Sequence, residues 1–477
     1  MAAPSRPKIW AMLGVLGLVV AALIYLSGGS DDQSQLVDSL RRKKAASFTP
    51  VTDRDATPDI VQLTRDVVAQ KRVIPGAWVV QKNDIARPRL VLPFHSLDGH
   101  PSPAPTREAA DTAVAVATEF LGADACVDCH QERHQGFVHT AHHLTSSMVR
   151  DGGIQGPLKS PGNQMTTVDP DLSFTMQEKD GVAVQTVALA DWKVDVPMDI
   201  ITGSGKVAQT FLYWDQDRLF ESYVSYFSGP QQWLASPGFV DLDANFVRPI
   251  LPECLECHVT YIQQTEPPNR YLTSSAVWGI SCERCHGPGK SHVDFHTSNP
   301  QAKEPRHISN PSDLSRERQL DICGQCHSGA FDSKKPAFSY RPGEDLSEFH
   351  QTLKPDFDDS GIHTSNQSSR LRMSECFQKS EMTCTACHDP HVQQRGDTDF
   401  FRQACLQCHE SEHCGMRSEL ASEVADRCVE CHMPTAQIDD LAGMKLQGLT
   451  LSMADHFIRV DRQVAEEVNA SVIDSTK

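Results

Sequence analysis

SCERCHGPGKSHVDFH, residues Ser281–His296, begins with two cysteines separated by two residues, and a histidine follows the second cysteine directly. The same C-x-x-C-H pattern occurs seven times and takes up 14 of the 16 cysteines. The copies are Cys126–His130, Cys254–His258, Cys282–His286, Cys323–His327, Cys384–His388, Cys405–His409 and Cys428–His432. Zinc ribbons and thioredoxin-like motifs also use C-x-x-C, but neither needs a histidine at the next position. Seven histidines behind seven cysteine pairs argue against both.

The pattern has the spacing of covalent c-type haem attachment. Each thiol adds across a haem vinyl group, and the histidine that follows can then bind the iron as the proximal ligand. We therefore predict seven covalently bound c-type haems, at sites 1 to 7 in chain order. The predicted ligands are Cys126, Cys129 and His130; Cys254, Cys257 and His258; Cys282, Cys285 and His286; Cys323, Cys326 and His327; Cys384, Cys387 and His388; Cys405, Cys408 and His409; and Cys428, Cys431 and His432.

The density of these motifs determines the predicted fold. Six of them lie within residues 254–432, which leaves too little chain for a separate protein core around each haem. We therefore predict a mainly α multihaem domain with extensive loops over residues 106–460, with the porphyrins forming much of the core. Between the first and second motifs, apolar and polar residues alternate, so a β-rich insertion is predicted at about 160–245.

The N-terminus predicts membrane attachment. Residues 9–26 are uncharged and apolar, which is long enough for a transmembrane anchor, with a cleaved signal peptide as the alternative. Arg6 and Lys8 place residues 1–8 in the cytoplasm and the rest outside, although the basic run 41–44 argues weakly against this orientation. The predicted location is the bacterial plasma membrane, with one N-terminal pass, a polar tether over 27–105 and a periplasmic haem domain. Residues 461–477 form a C-terminal tail.

The net charge of −18 excludes nucleic acid as an expected partner. The haem propionates would add further negative charge, so basic patches on redox partner proteins are expected. An equally simple explanation is that the acidic surface keeps the protein soluble. The oligomeric state stays open.

Fourteen histidines remain after the seven proximal ligands, and some of them should fill the distal side of each iron. An iron with two imidazoles suits electron transfer, whereas an open position allows substrate to bind. The preferred distal ligands are His142, His292, His391 and His456, followed by His143, His296, His350, His363 and His413. His292 and His391 lie too close in sequence to their own motif histidines to reach the opposite face of the same ring, so each should serve a neighbouring haem or a propionate. His95, His100 and His134 are interpreted as surface or structural residues.

Two further features carry less information. Cys376 and Cys414 fall outside every motif, and in an oxidising compartment a disulfide between them is favoured over free thiols. GSGK at residues 203–206 lacks the first glycine of a phosphate loop, since Ile200 occupies that position.

Several stretches resemble one superfamily: CVDCHQERHQGFVHTAHH, CERCHGPGKSH, MTCTACHDPH, CVECHMP and DHFIRV. They are similar to the multihaem cytochromes that include pentahaem nitrite reductase, hydroxylamine oxidoreductase and the tetrahaem cytochrome c of ammonia oxidisers. ITGSGKVAQTFLYW, SPGF and CLECH look closer to multihaem cytochromes that elsewhere precede tetratricopeptide repeats. The resemblance implies a helical haem wire with haems in alternating parallel and perpendicular pairs, and it implies distal roles for His142, His292, His391 and His456.

The sequence departs from this superfamily in ways that bear on function. It has no C-x-x-C-K motif, which removes the lysine-bound catalytic haem of the nitrite reductases, and it has no tetratricopeptide repeats. The expected function is electron transfer between a membrane donor, such as a quinone oxidoreductase, and a soluble redox partner. The alternative is an oxidoreductase that acts on a small nitrogen or sulfur species, such as nitrite or hydroxylamine, at one five-coordinate haem; whether the chain is an enzyme stays open.

Overall fold

The computed structural model describes residues 119–167, 170–189, 192–239, 243–352, 361–420, 424, 427–438 and 449–475. It also describes three upstream strands, β1 (Asp59–Gln62), β2 (Trp78–Gln81) and β3 (Arg89–Leu92). The predicted anchor at 9–26, most of the tether, His95 and His100 lie outside these residues.

Antiparallel strands occupy most of the chain between the first two motifs, where alternating apolar residues favour a half-buried sheet. They are β4 (Ser146–Met148), β5 (Gln164–Thr166), β6 (Leu172–Lys179), β7 (Val182–Leu189), β8 (Trp192–Pro197), β9 (Ile200–Thr202), β10 (Ala208–Asp215), β11 (Arg218–Glu221), β12 (Val224–Phe227), β13 (Gln232–Ala235) and β14 (Asp243–Asn245). Two longer strands, β15 (Val259–Glu266) and β16 (Arg270–Trp278), follow the second motif.

These strands form three sheets. Strands β5 to β8 make a meander, and β1, β2, β3 and β14 make a second sheet in which β14 runs parallel to β3. The largest sheet has the order β13-β12-β10-β11-β16-β15, with β9 and β4 branching from β10.

Strand β10 is buried on both faces, and this joins the sheets to the haem motifs. Phe211 and Tyr213 face a core shared with the meander, whereas Leu212 and Trp214 face a second core. Because side chains alternate along a strand, adjacent residues contribute to opposite cores. The second core includes Leu255, a residue inside the second motif. The sheet therefore directly supports site 2.

The helices are α1 (Gln131–Phe137), α2 (Pro252–Leu255), α3 (Glu283–His286), α4 (Lys290–Ser298), α5 (Arg316–His327), α6 (Gln367–Arg372), α7 (Glu375–Gln378), α8 (Thr398–Leu406), α9 (Cys428–His432) and α10 (Arg462–Ser475). Two small hairpins pair β17 (Phe331–Ser333) with β18 (His350–Thr352) and β19 (Thr435–Gln437) with β20 (Ser452–Ala454).

The prediction of a mainly α fold was wrong. A C-x-x-C-H motif specifies little more than one helical turn, as α3 and α9 show, so seven motifs do not make a helical protein. The two large apolar cores of the described residues are built mainly from strands. Strands β15 and β16 also lie beyond the 160–245 segment to which strand structure was assigned. The chain is therefore β-rich.

Asp199 gives this β region a pH-dependent stability. Burial raises the pKa of Asp199 to about 6, and the hydrogen bond that its Oδ2 accepts from the Trp214 backbone offsets this only in part. The folded state therefore holds this proton up to higher pH than the unfolded state does, so its contribution to stability falls as the pH rises from about 4 to 6. We expect Asp199→Asn to stabilise the protein by roughly 1–3 kcal/mol at pH 7 and by little at pH 4.

Denaturant unfolding at both pH values measures this difference. The matched control is Asp195→Asn, which removes a partly exposed ion pair with Lys179 (2.7 Å) and should slightly destabilise the protein at pH 7. Equal stabilities of Asp199→Asn and the unmodified chain at pH 7 would contradict the assignment.

Candidate functional site

The motifs fold as short turns that place their reactive residues on one side. At sites 1, 3, 5 and 6 the histidine backbone N–H donates to the carbonyl of the first cysteine at 2.9–3.0 Å. Residues at positions i, i+3 and i+4 of such a turn share a face. Both cysteines and the histidine of a motif can therefore contact one planar group.

Four motif histidines have a second imidazole opposite them. The ring centroids are 6.5 Å apart for His130 and His292, 6.2 Å for His286 and His391, 6.1 Å for His327 and His142, and 6.3 Å for His388 and His456. The second members are the four preferred distal histidines. His292 and His391 face a motif histidine other than their own.

These separations fit an iron between the two rings. A histidine nitrogen binds a transition metal at about 2.0–2.1 Å, which places the two centroids of an opposed pair on the order of 6 Å apart. Burial lowers the pKa of His142 and of His456 to about 4, so both rings are neutral near pH 7, as metal ligation requires. The residues therefore fit a haem held by two histidines.

Most of these rings donate Nδ1–H away from the shared space, which leaves Nε2 for a metal. His286 donates to the Ser309 carbonyl at 2.9 Å and His292 to the Arg306 carbonyl at 2.8 Å. His327 donates to the Gln367 side chain, and His391 donates to Asp389, both at 3.0 Å. Sequence reasoning missed these acceptors; only Asp389, next to His388 in CHDPH, carried a local signal.

Close backbone approaches bring the distal residues into position. Gly279 has a φ of +69°, and a Cβ there would lie 2.2 Å from the His143 carbonyl oxygen. The next residue, Ile280, donates its N–H to the His142 carbonyl at 3.0 Å. A Cβ on Gly136 of α1 would lie 2.5 Å from the His391 carbonyl oxygen. The loops that carry His142 and His391 therefore depend on glycine at their contact points.

Site 1 and site 3 share an anchor that the sequence did not reveal. Glu283, a variable position of the third motif, is buried. Its carboxylate accepts hydrogen bonds from the N–H groups of Leu121 (2.8 Å), Gly122 (2.7 Å) and Gly289 (2.8 Å). It thus ties the segment before the first motif to the third.

The lower-ranked histidines have other contacts. His350 stacks on Phe331 at 3.9 Å and lies 3.6 Å from buried Glu256. His413 is exposed beside Glu410, and His134 pairs with Asp124 at 3.3 Å. His363 shares a hydrogen bond with Ser365, while His143 packs against Phe137 and His296 against His292.

His258, His409 and His432 differ from the other motif histidines. Within the part of the chain that the structure describes, no second imidazole faces them at a comparable separation. The Nδ1 of His258 hydrogen bonds with Thr145 Oγ1 at 3.1 Å, and that of His432 donates to the Arg459 carbonyl at 2.8 Å. Burial lowers the pKa of His258. Site 2 thus has no opposing histidine among the described residues.

Cysteines from different motifs lie in contact, so the attachment sites are neighbours. Thiol hydrogen bonds join Cys126 to Cys282, Cys257 to Cys326, Cys323 to Cys384 and Cys405 to Cys428. These contacts link sites 1 and 3, 2 and 4, 4 and 5, and 6 and 7. Cys285 is also near Cys326, and Cys387 is near Cys408. The sites form one connected series, in which site 4 borders sites 2, 3 and 5.

The predicted disulfide between Cys376 and Cys414 is not formed. Cys376 lies near Cys387 of site 5, whereas Cys414 lies near Cys431 of site 7. The packing of the two sites places each thiol beside a different motif.

Proteins of known family with similar sequences are cytochromes. The family model for cytochrome c554 and c-prime matches residues 238–287, which include the second and third motifs. The chain is a multihaem c-type cytochrome. Its multihaem homologues imply covalently bound c-type haems, and the comparisons do not confirm the narrower nitrite reductase and hydroxylamine oxidoreductase superfamily.

Individual relatives of this cytochrome are distant. The multihaem cytochrome MtrA of Shewanella baltica is 27% identical over 157 residues, which are 29% of this chain and 44% of MtrA. The chain thus spans less than half the length of that relative. The outer cell wall cytochrome OcwA has a TM-score of 0.49 at 18% identity, covering 74% of this chain and 82% of OcwA. An undecahaem S-layer cytochrome of Carboxydothermus ferrireducens has a TM-score of 0.36 at 15% identity, covering 76% and 62%.

No helix among the described residues has both the length and the apolar character that crossing a membrane requires. The predicted anchor at 9–26 lies outside the described residues.

Proposed function

We propose that this cytochrome is a membrane-anchored, periplasmic electron carrier with seven haems, which passes electrons between a quinone-linked membrane donor and a soluble redox partner. The observation that supports it most strongly is the set of four opposed imidazole pairs. Bound haem supplies reversible one-electron redox chemistry, and two histidine ligands keep substrate away from the iron. The chain holds each ring pair by hydrogen bonds, and this rigidity favours electron transfer over ligand binding.

The contacts between attachment sites support the same function. Electron transfer over several centres requires each centre to have a near neighbour, and the cysteine contacts provide one for all seven sites. The acidic composition, with a net charge of −18, favours basic surfaces on the partner proteins.

Site 2 favours a second candidate function. His258 is held by Thr145, and no histidine faces it within the described residues. An open position there would make the cytochrome an oxidoreductase for a small nitrogen or sulfur species such as nitrite or hydroxylamine.

Low-temperature electron paramagnetic resonance of the oxidised holoprotein, integrated against haem content, tests both functions. We expect at least four low-spin irons, one for each opposed pair. Fewer than four low-spin irons would contradict the electron-carrier proposal, because that proposal rests on four opposed imidazole pairs.

Protein-film voltammetry then separates the two candidates. An electron carrier should give a reversible wave that nitrite and hydroxylamine leave unchanged. A catalytic current that disappears in His258→Ala and persists in His456→Met would instead assign the reaction to site 2.

A further inference from the structure

One of the four opposed imidazole pairs differs from the rest in orientation. The ring planes of His327 and His142 meet at 78°, whereas the other three pairs meet at 20°, 25° and 30°. The crossed pair belongs to site 4, which borders three other sites. The chain therefore gives its most connected site a different ligand geometry.

Gln367, at the start of α6, contacts the proximal ring of this pair. Its Nε2 donates to the Thr364 carbonyl at 2.9 Å, so its Oε1 is directed to accept from His327 Nδ1 at 3.0 Å. Nε2 also lies 3.8 Å from the Met453 sulfur. The hydrogen bond to Thr364 therefore fixes the orientation of the Gln367 amide that accepts from His327.

The backbone of His142, which carries the distal ring, is held by separate parts of the chain. The His142 carbonyl accepts from the N–H of Ile280 at 3.0 Å and of Thr145 at 3.2 Å. The His327 ring therefore cannot turn to align with His142 without breaking its hydrogen bond to Gln367, while separate segments fix the backbone position of His142.

We propose that Gln367 is a positioning residue that holds His327 crosswise to His142 and so makes site 4 electronically distinct from the other three opposed pairs. This inference rests on the proposed function, because it requires that the opposed rings bind iron. Two parallel imidazoles interact with the same one of two iron d orbitals, so the energies of these two orbitals differ. Two crossed imidazoles interact with one of these orbitals each. A crossed pair therefore gives a strongly anisotropic low-spin signal at low field, and parallel pairs give rhombic signals. The orientation and hydrogen bonding of the axial ligands also tune the reduction potential.

The experiment is electron paramagnetic resonance of the full-length oxidised holoprotein and its variants at matched haem content. The unmodified chain should show one strongly anisotropic low-spin signal beside rhombic ones. Gln367→Leu should lose most of the anisotropic signal while the total low-spin integral is conserved, and Gln367→Glu, which keeps an acceptor of the same length, should retain it.

Two ligand variants complete the test and remain informative if Gln367→Leu does not fold. His142→Met should remove the anisotropic signal, whereas His456→Met should remove a rhombic signal and leave the anisotropic one. The inference would be overturned if the anisotropic signal survived in Gln367→Leu. It would also be overturned if His456→Met removed this signal and His142→Met did not. If neither ligand variant changes the low-spin spectrum, the opposed pairs do not bind iron and the proposed function loses its main support.

Discussion

Substitution of Asp455 by alanine is expected to lower the free energy of unfolding by about 3–5 kcal/mol, because it leaves a buried guanidinium without its carboxylate. Asp455 is buried and accepts from Arg370 Nε at 2.8 Å and Nη2 at 2.6 Å, and from Arg459 at 2.8 Å. Burial acts against its charge, yet these partners outweigh burial and lower the pKa of Asp455. The carboxylate also accepts the Phe457 N–H at 3.0 Å, so it fixes the turn that contains His456.

Denaturant unfolding measures the loss, and low-spin integration should show one iron fewer because His456 faces His388. The matched control is Arg372→Gln on the same helix, α6, which breaks an exposed ion pair with Glu317 (3.2 Å) and should cost less than about 1 kcal/mol. If both variants unfolded with the same free energy, the buried ion pair would not be the element that holds this turn.

Removal of the site 4 thiols by Cys323→Ala combined with Cys326→Ala is expected to slow electron passage between sites 1 and 7 at least tenfold, or about 1.4 kcal/mol of barrier. Cys326 contacts Cys257 of site 2, and Cys323 contacts Cys384 of site 5. Without attachment at site 4, the connected series divides into sites 1 and 3, sites 5 to 7, and an isolated site 2. Stopped-flow oxidation of the reduced protein by a soluble acceptor measures the effect, because the divided protein should show a slow phase.

The control is Cys254→Ala combined with Cys257→Ala, which removes attachment at site 2. Site 2 contacts site 4 alone among the thiol hydrogen bonds of the described residues, so this variant should oxidise at nearly the original rate. Equal slowing in both double variants would mean that the series is not ordered as the thiol contacts indicate.

The local parts of the site were predictable from sequence, because one motif fixes one turn. The spacing also indicated which histidines were available, and it excluded His292 and His391 from the haems of their own motifs. It could not show that His142 faces His327, because the sheet between them determines that pairing. Gln367 and Glu283 carried no signal, since each acts through partners that only the folded chain brings near.

The fold was less predictable for a related reason. Motif density suggested a haem core wrapped by helices, but α3 shows that a motif needs only four residues of helix. The hairpin of β15 and β16 was overlooked because it lies between closely spaced motifs, where the prediction left room only for loops. The burial of Val259–Glu266 does not alternate, and β16 also pairs with β11, which is distant in sequence.

The hydrogen bond from Ile280 to the His142 carbonyl has a consequence for the order of folding. His142 and His327 are 185 residues apart, and closing a loop of that length from a flexible chain costs roughly 5 kcal/mol of entropy. Strand β4 already pairs with β9, and Gly279 already contacts His143, so the folded sheets bring His142 close to Ile280, and the loop left to close shortens to the 47-residue separation between Ile280 and His327. The β region therefore acts as an internal template for maturation, and weakening its strands should delay ligation at site 4 before it affects sites 6 and 7.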